Sequence, residues 1–423
     1  MSAGTGLNLG MPTAQRHTLR RGVVEVYEAF TNREVKATIE AILTSWAHKL
    51  PDDHAARVLI KPNLNNDLMA LTGNSADLRV LACLIEGLLN RGYRDITVAD
   101  GSNVGVDRRD INSMRRLRVS ALAERYGVKV LDLNRQPGVP IALHAGARPL
   151  VATPVIEADL LISVPKVKTH CEATLSCAMK NWVGICQGQQ KRHMHMDLGR
   201  NIFAINEAVV PHLIIVDGLI GMEGNGPGDG EPFRLGRIMA SDDAALNDLV
   251  ACRLVDLPWR EVPYLVHAER AGWFGPEDAA EIEQKVAVVR PIKRAPPRSK
   301  LAELSEAPAL MWLKLAVRPL VEKPAVSEAA YRLRIIQDVY DRVDDTITDL
   351  TRDADRCGDC RRCEDFCPTF LPLAQIGASP RSSDCVLCLY CWWVCPKEAI
   401  TLTGQLNHLT RQTQRYKTIV ETI

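Results

Sequence analysis

The sequence predicts an α/β fold, a mainly parallel sheet with flanking helices, joined to a small α+β module near its C-terminal end. Three observations predict it. From about residue 23 to residue 290, short β-branched apolar runs alternate with stretches of helical periodicity. At "RPIKRAPPRSK" that pattern stops, and eight of the 13 cysteines then fall between Cys357 and Cys395. Alternating strand and helix periods are what a layered α/β domain requires, because each element must bury one face on its neighbours.

In chain order the strand candidates are "VVEVY", "ARVLI", "DITVAD", "VKVLDL", "DLLISV", "HLIIVDG" and "KVAVV". "DLRVLACLIEGLLNRG" and "DAALNDLVACRLV" space their apolar residues as helices do. The expected organisation is an α/β domain at 1–290, a linker with amphipathic helices at 291–350, a cysteine module at 351–403 and a polar tail at 404–423. "RPIKRAPPRSK" has no aromatic residues among its charges for base stacking, so it reads as a linker and not as a nucleic-acid patch. "SEAAYRLRIIQDVYDRVDDTITDL" reads as an amphipathic helix leading into the module.

The 423 residues are 46% hydrophobic and 24% charged, with a formal net charge of +1. That balance fits a soluble globular protein and provides no basic field to draw nucleic acid. The N-terminal residues lack the apolar core of a signal peptide, and a cytoplasmic location is expected. No stretch reaches the roughly 18 apolar residues of a membrane span. The nearest, "APALMWLKLAVRPLV", is broken by Lys314, Arg318 and Pro319, and is expected to pack on protein rather than on a membrane surface.

The cysteine runs read "CGDCRRCEDFCP" and "CVLCLYCWWVCP". Each fits CxxCxxCxxxCP, a loop that wraps three thiolates around one [4Fe–4S] cube while the fourth reaches across to another. The crossed rule assigns Cys357, Cys360, Cys363 and Cys395 to one cluster and Cys385, Cys388, Cys391 and Cys367 to a second. Zinc sites use four ligands each and need no third CxxC step followed by CP. Residues 351–403 resemble the bacterial two-[4Fe–4S] ferredoxin domain, and "CPKEAITL" follows that family's usual continuation whereas "CPTFLPLAQIG" departs from it. Trp392 and Trp393 read as core. Such a module moves single electrons, which implies a soluble donor such as a ferredoxin or flavodoxin.

Polar residues recur where the predicted strands of the large domain end, the place where ligands bind on open parallel sheets. Lys61, Asn63 and Asn65 follow "VLI"; Asp100, Ser102 and Asn103 follow "ITVA"; Lys166, Lys168 and His170 follow "LLISV"; Asp217 follows "LIIV". A helix after "PKVKTH" would carry Lys180 and Asn181. Lysines and amides around one crevice favour a carboxylate or phosphate. His170, Lys168 and Lys166 are the candidate catalytic groups, with the histidine as proton relay; Lys61, Asn63, Asp100, Ser102, Asn103, Lys180, Asn181 and Asp217 are the candidate binding groups. "GMEGNGPGDG" fits neither GxGxxG nor a P-loop and allows either a close ligand approach or a tight turn. "RHMHMD" reads first as a loop with exposed histidines, and second as an extended segment with His193 and His195 on one side, as a metal site would want. Cys171, Cys177 and Cys186 match no cluster spacing and read mainly as buried small residues.

With "IKPN", "ADGSN", "PKVKTH", "MKN", "VDG" and "GMEGNGP" in this order, the first 290 residues resemble the domain-of-unknown-function 362 family, whose members often carry a C-terminal ferredoxin module. The resemblance implies an iron–sulfur protein and no defined reaction. The "ADGSN" region is more distantly similar to the N-terminal domain of lactate racemase-type proteins, without their nickel-cofactor histidine pattern. The favoured expectation is a redox enzyme acting on an anionic small molecule. A non-catalytic electron carrier or adaptor, and a metal-handling or maturation protein, stay open beside it.

Overall fold

The backbone alternates between sheet and helix as the apolar periods require. Described residues of this computed structural model are 12–296 and 340–423. The strands are β1 (Gln15–Leu19), β2 (Gly22–Glu28), β3 (Val58–Pro62), β4 (Ile96–Asp100), β5 (Lys129–Asp132), β6 (Gly138–Pro140), β7 (Leu150–Ala152), β8 (Leu160–Val164), β9 (Lys166–His170), β10 (Thr174–Ser176), β11 (Leu213–Asn225), β12 (Asp229–Ser241), β13 (Asp349–Arg352) and β14 (Ile400–Thr403). The main sheet runs β1-β2-β12-β11-β8-β3-β4-β5, with β9 and β10 branching off beside β11. From β11 to β5 the neighbours are parallel; β1, β2, β12 and β11 pair antiparallel.

Every residue of β3 and β8 is buried, as expected of central strands covered on both faces. The helix Asn32–Ser45 starts at a capping box between Thr31 and Glu34, and Asp77 and Asp243 cap the helices Leu78–Asn90 and Ala244–Leu254. A small ribbon of β13 and β14 closes the cysteine module.

The structure revises or resolves five sequence readings. "KVAVV" is not a strand: Lys285 ends the helix Pro276–Lys285, and Val289 N–H bonds Leu254 O outside the sheet. "PKVKTH" is not a loop but supplies β9, which pairs with β10 and β11, so Lys166, Lys168 and His170 alternate with apolar or hydroxyl side chains along a strand. Of the two readings left open for "GMEGNGPGDG", the structure takes the turn: the stretch is mostly the β11–β12 hairpin. "RHMHMD" lies in a 3-10 stretch, Gly188–Met196, so His193 and His195 do not share a side. The expected polar tail is the helix His408–Thr422, whose Leu409, Tyr416 and Val420 are buried. Its apolar positions recur at helical spacing among many polar ones, and the tertiary surface they meet decides the outcome. "APALMWLKLAVRPLV" and most of the amphipathic helix of the linker lie outside the described residues.

The module shares one hydrophobic core with the large domain: Phe30, Ile39 and Leu81 belong to the same cluster as Phe366, Tyr390 and Trp393. Phe30 and Phe366 meet edge to face at 5.5 Å, and Arg79 stacks over Phe366 at 4.5 Å. Residues 63–78 run through this junction. There Gly73 takes φ +78°, and a Cβ on it would lie 2.0 Å from Gly221 O of β11. Gly73→Ala is therefore expected to cost about 2 kcal/mol or more, from left-handed strain plus the backbone overlap, and a lowered urea midpoint would register it.

Candidate functional site: a lysine-lined pocket and two cysteine quartets

Parallel strands end at a common edge, and here that edge closes over a cavity of about 300 Å³. Four lysines line it, Lys61, Lys168, Lys180 and Lys191, against two carboxylates, Asp100 and Glu172. Three of the lysines are tied to protein acceptors. Lys61, at the end of β3, lies 2.6 Å from Asp100 Oδ1 and donates to Asn181 Oδ1 at 2.9 Å. Lys168 donates to Asn63 Oδ1 at 2.8 Å and Asn74 O at 2.7 Å. Lys191 donates to Asn134 Oδ1 and to Cys186 O. Lys180, half-buried on the wall, has no hydrogen-bond acceptor or ion-pair partner among the described residues. Gly184 makes the crowding possible: a Cβ there would stand 2.6 Å from Lys61 Nζ.

Loss of hydration pushes these ammonium groups down. Lys168 is held well below the usual lysine range, first by burial and then by the charges of Lys180 and Lys166. Burial brings Lys180 and Lys191 to about 8. Lys61 is lowered by burial against the opposing pull of Asp100. Such a pocket is short of negative charge, and an anion would supply it.

His170 Nδ1 accepts the backbone N–H groups of Glu172 at 3.1 Å and Ala173 at 3.2 Å. A ring nitrogen that accepts carries no hydrogen, so the hydrogen sits on Nε2. In this arrangement Nδ1 is engaged by the backbone, and any proton the ring passes would travel through Nε2. His195 Nδ1 lies 2.6 Å from Glu172 Oε2 on the same wall.

The structure brings Lys61, Asn63, Asp100, Asn103, Lys168, His170, Lys180 and Asn181 together at this cavity. Two expected groups lie elsewhere: Lys166 and Asp217 form a fully buried ion pair at 2.8 Å, linked through Asp77 N–H to the Asp77–Arg79 pair. Ser102 is buried beside the cavity, with its carbonyl and hydroxyl oxygens accepting from Asn134 Nδ2. Sequence reasoning missed Lys191, Glu172 and Asn134. Lys191 sits in the polar run "QGQQKRH", where nothing but the fold distinguishes it from a surface lysine.

The cysteines form two quartets. Cys367, Cys385, Cys388 and Cys391 line one enclosed cavity; Cys357, Cys360, Cys363 and Cys395 line another. These are the crossed sets. Backbone N–H groups of Leu371 and Ala399 point at Cys367 Sγ (3.4 Å) and Cys395 Sγ (3.2 Å), as donors to thiolates would. Among the described residues no three His, Cys, Asp or Glu side chains converge tightly enough for a single ion. The four-thiolate donor set of each quartet fits an iron–sulfur cube.

Comparison with known proteins agrees with both halves. Residues 58–253 match DUF362, a domain of unknown function. Residues 381–401 match a 4Fe-4S binding domain. The DUF362 stretch thus holds the pocket and the strands that build it, and the protein binds a [4Fe–4S] cluster in its C-terminal module. The thylakoid-associated protein sll1697 of Synechocystis sp. is 27% identical over 234 residues, 51% of this chain and 68% of that protein. The lactate racemase apoprotein from Thermoanaerobacterium thermosaccharolyticum superposes with a TM-score of 0.32 at 10% identity, over 53% of this chain and 56%, a little over half, of that one. Among the described residues no helix is long and apolar enough to cross a membrane.

Residues 63–78 run from the pocket to the module, with hydrogen bonds to both. At one end Asn63 and Asn74 hold Lys168 in the pocket. At the other, Leu78 N–H donates to Tyr390 Oη at 3.1 Å, and Tyr390 precedes the cluster ligand Cys391. Gln412 of the C-terminal helix clamps the middle, bonding Asp67 O and Met69 N–H at 2.9 Å each.

Proposed function

We propose that this protein is an oxidoreductase that passes electrons from two [4Fe–4S] clusters, one in each cysteine quartet, to an anionic organic molecule held in the lysine pocket. The single observation that carries the reading is the short bonded path just described, from Lys168 through residues 74–78 to Tyr390. Bound clusters would supply electrons one at a time. The chain does the rest. Lys61 and Lys168, fixed by Asp100, Asn63 and Asn74, position a carboxylate or phosphate. His170 Nε2–H donates a hydrogen bond to an oxygen that gains negative charge. Lys180, at about 8 and without a protein acceptor, is the group suited to give up a proton near neutral pH. A soluble ferredoxin or flavodoxin in a reducing compartment would be the electron source.

Anaerobically purified protein should contain about eight irons per chain, two cubes of four. Reduced protein, mixed in turn with small carboxylates and phosphate esters, should be reoxidised by at least one of them, followed by loss of its reduced-cluster spectrum. Reoxidation that proceeds equally in Lys168→Met would remove the pocket from the reaction. Four irons would leave one quartet with another role.

A further inference from the structure

A second cavity, also of about 300 Å³, lies where the DUF362 domain meets the cysteine module. It shares no lining residue with the lysine pocket. Its character is different. Met69, Leu117, Ile347, Leu387, Leu389 and Leu409 make much of the wall apolar, and three aspartates, Asp67, Asp344 and Asp345, balance Arg115, Arg116 and Arg118. Cys388 belongs both to this wall and to the wall of its own quartet's cavity.

Among the described residues, three buried polar side-chain atoms lining this space lack hydrogen-bond partners: two donors, Arg116 Nη2 and His408 Nε2, and one acceptor, Asp345 Oδ2. Arg116, its side chain 1% exposed, is held by Asp67 at 2.6 Å and Asp344 at 2.7 Å, yet its Nη2 has no hydrogen-bond partner. His408 Nδ1 accepts Asp345 N–H at 3.3 Å, with Asp345 Oδ2 also 3.1 Å from it, while Nε2 has no hydrogen-bond partner. Burial lowers His408 to about 4, so the ring is neutral. Arg118 donates to Val386 O at 3.0 Å and has no carboxylate partner among the described residues. Leaving the two donors unbonded is unfavourable, and a ligand with acceptor oxygens removes that cost.

We propose that this cavity binds a small planar ring compound bearing carbonyl oxygens, of the quinone class. Apolar side chains cover the ring faces, and the carbonyl oxygens accept from the arginines and the histidine. The balance of arginine and aspartate gives a polyanion no advantage here, unlike the lysine pocket. The volume sits at the lower end of small-molecule sites, enough for one or two fused rings but too little for a dinucleotide. A ring bound there would lie against Cys388. The inference does not rest on the anion reading.

The test uses the full-length protein with oxidised clusters and duroquinone, whose fully substituted ring does not alkylate thiols. Equilibrium dialysis should show one saturable site. Arg118→Leu should weaken it at least tenfold and Ala70→Trp, which fills the space, should abolish it, while cluster absorbance and phosphate binding in the lysine pocket stay as in wild type. Because Ala70→Trp could disturb folding, Arg118→Leu, a change at a partly exposed side chain, decides the matter alone if it must. No saturable binding, or binding that Arg118→Leu leaves unchanged, overturns the proposal. Duroquinone binding with no reoxidation by any anion would sink the proposed function and leave this site standing.

Discussion

Lys180→Met is expected to stabilise the protein by about 1–3 kcal/mol at pH 7 while weakening phosphate binding in the pocket ten- to a hundredfold. The two effects have one cause. Lys180 is desolvated to about 8 from an unfolded value near 10.5, so the folded state bears the cost of a charged group that no protein acceptor repays. A thioether of similar length fills the same space and leaves no partner unsatisfied. The sign follows from linkage: a lysine lowered in the folded state destabilises fully below pH 8, and that penalty fades as pH rises from about 8 to 10.5. The advantage of the variant should therefore be full at pH 7 and shrink through pH 9. Both proteins share the opposing effect of the buried Cys177, Cys186 and Cys252 thiols, which burial pushes up, so their difference at each pH isolates the lysine. Anaerobic urea midpoints at pH 7, 8 and 9, with phosphate titrations by calorimetry, give both readouts. A variant less stable than wild type at pH 7 would show that Lys180 is a structural lysine.

The pocket was partly legible in the chain because strand ends announce themselves: Lys61, Asp100 and Lys168 each follow an apolar run, and the parallel sheet gathers such positions at one edge. The cysteine quartets were legible in full, since ligand spacing is a local property of a loop. Other features needed tertiary information. Lys166 and Lys168 lie two apart on β9 and look alike in sequence, yet the register that sets Asp217 opposite Lys166 sends one into an ion pair and the other into the pocket. Lys191 is brought in by a 3-10 stretch with no apolar period, and the terminal helix earns its place through Leu409, Tyr416 and Val420 meeting a shared core. For His170 the limit is subtler: its identity suggested proton transfer, but only the fold brings up the two backbone N–H groups that set which nitrogen holds the hydrogen.

Asp217→Leu should destabilise by about 3–5 kcal/mol, the cost of leaving one member of a buried ion pair alone. Lys166 and Asp217 are both 0% exposed, and Asp217 also accepts Asp77 N–H at 2.7 Å and Leu219 N–H at 3.1 Å. Removing the carboxylate strands the Lys166 ammonium and frees two amides. The Lys166→Met/Asp217→Leu double variant should recover part of the loss, since two apolar groups replace two charges and only the amide costs persist. The same cycle distinguishes scaffold from catalyst. If Lys166 took part in the chemistry, Lys166→Met would abolish phosphate binding in a protein of normal stability; the geometry instead predicts binding within a few fold of wild type and a lowered urea midpoint. Because Asp77 hands the network on to Arg79, and Arg79 stacks on Phe366 of the module, Asp217→Leu should also loosen the docking surface. Faster bleaching of the cluster absorbance by a chelator, with Lys168 and its acceptors left intact, would report that loosening.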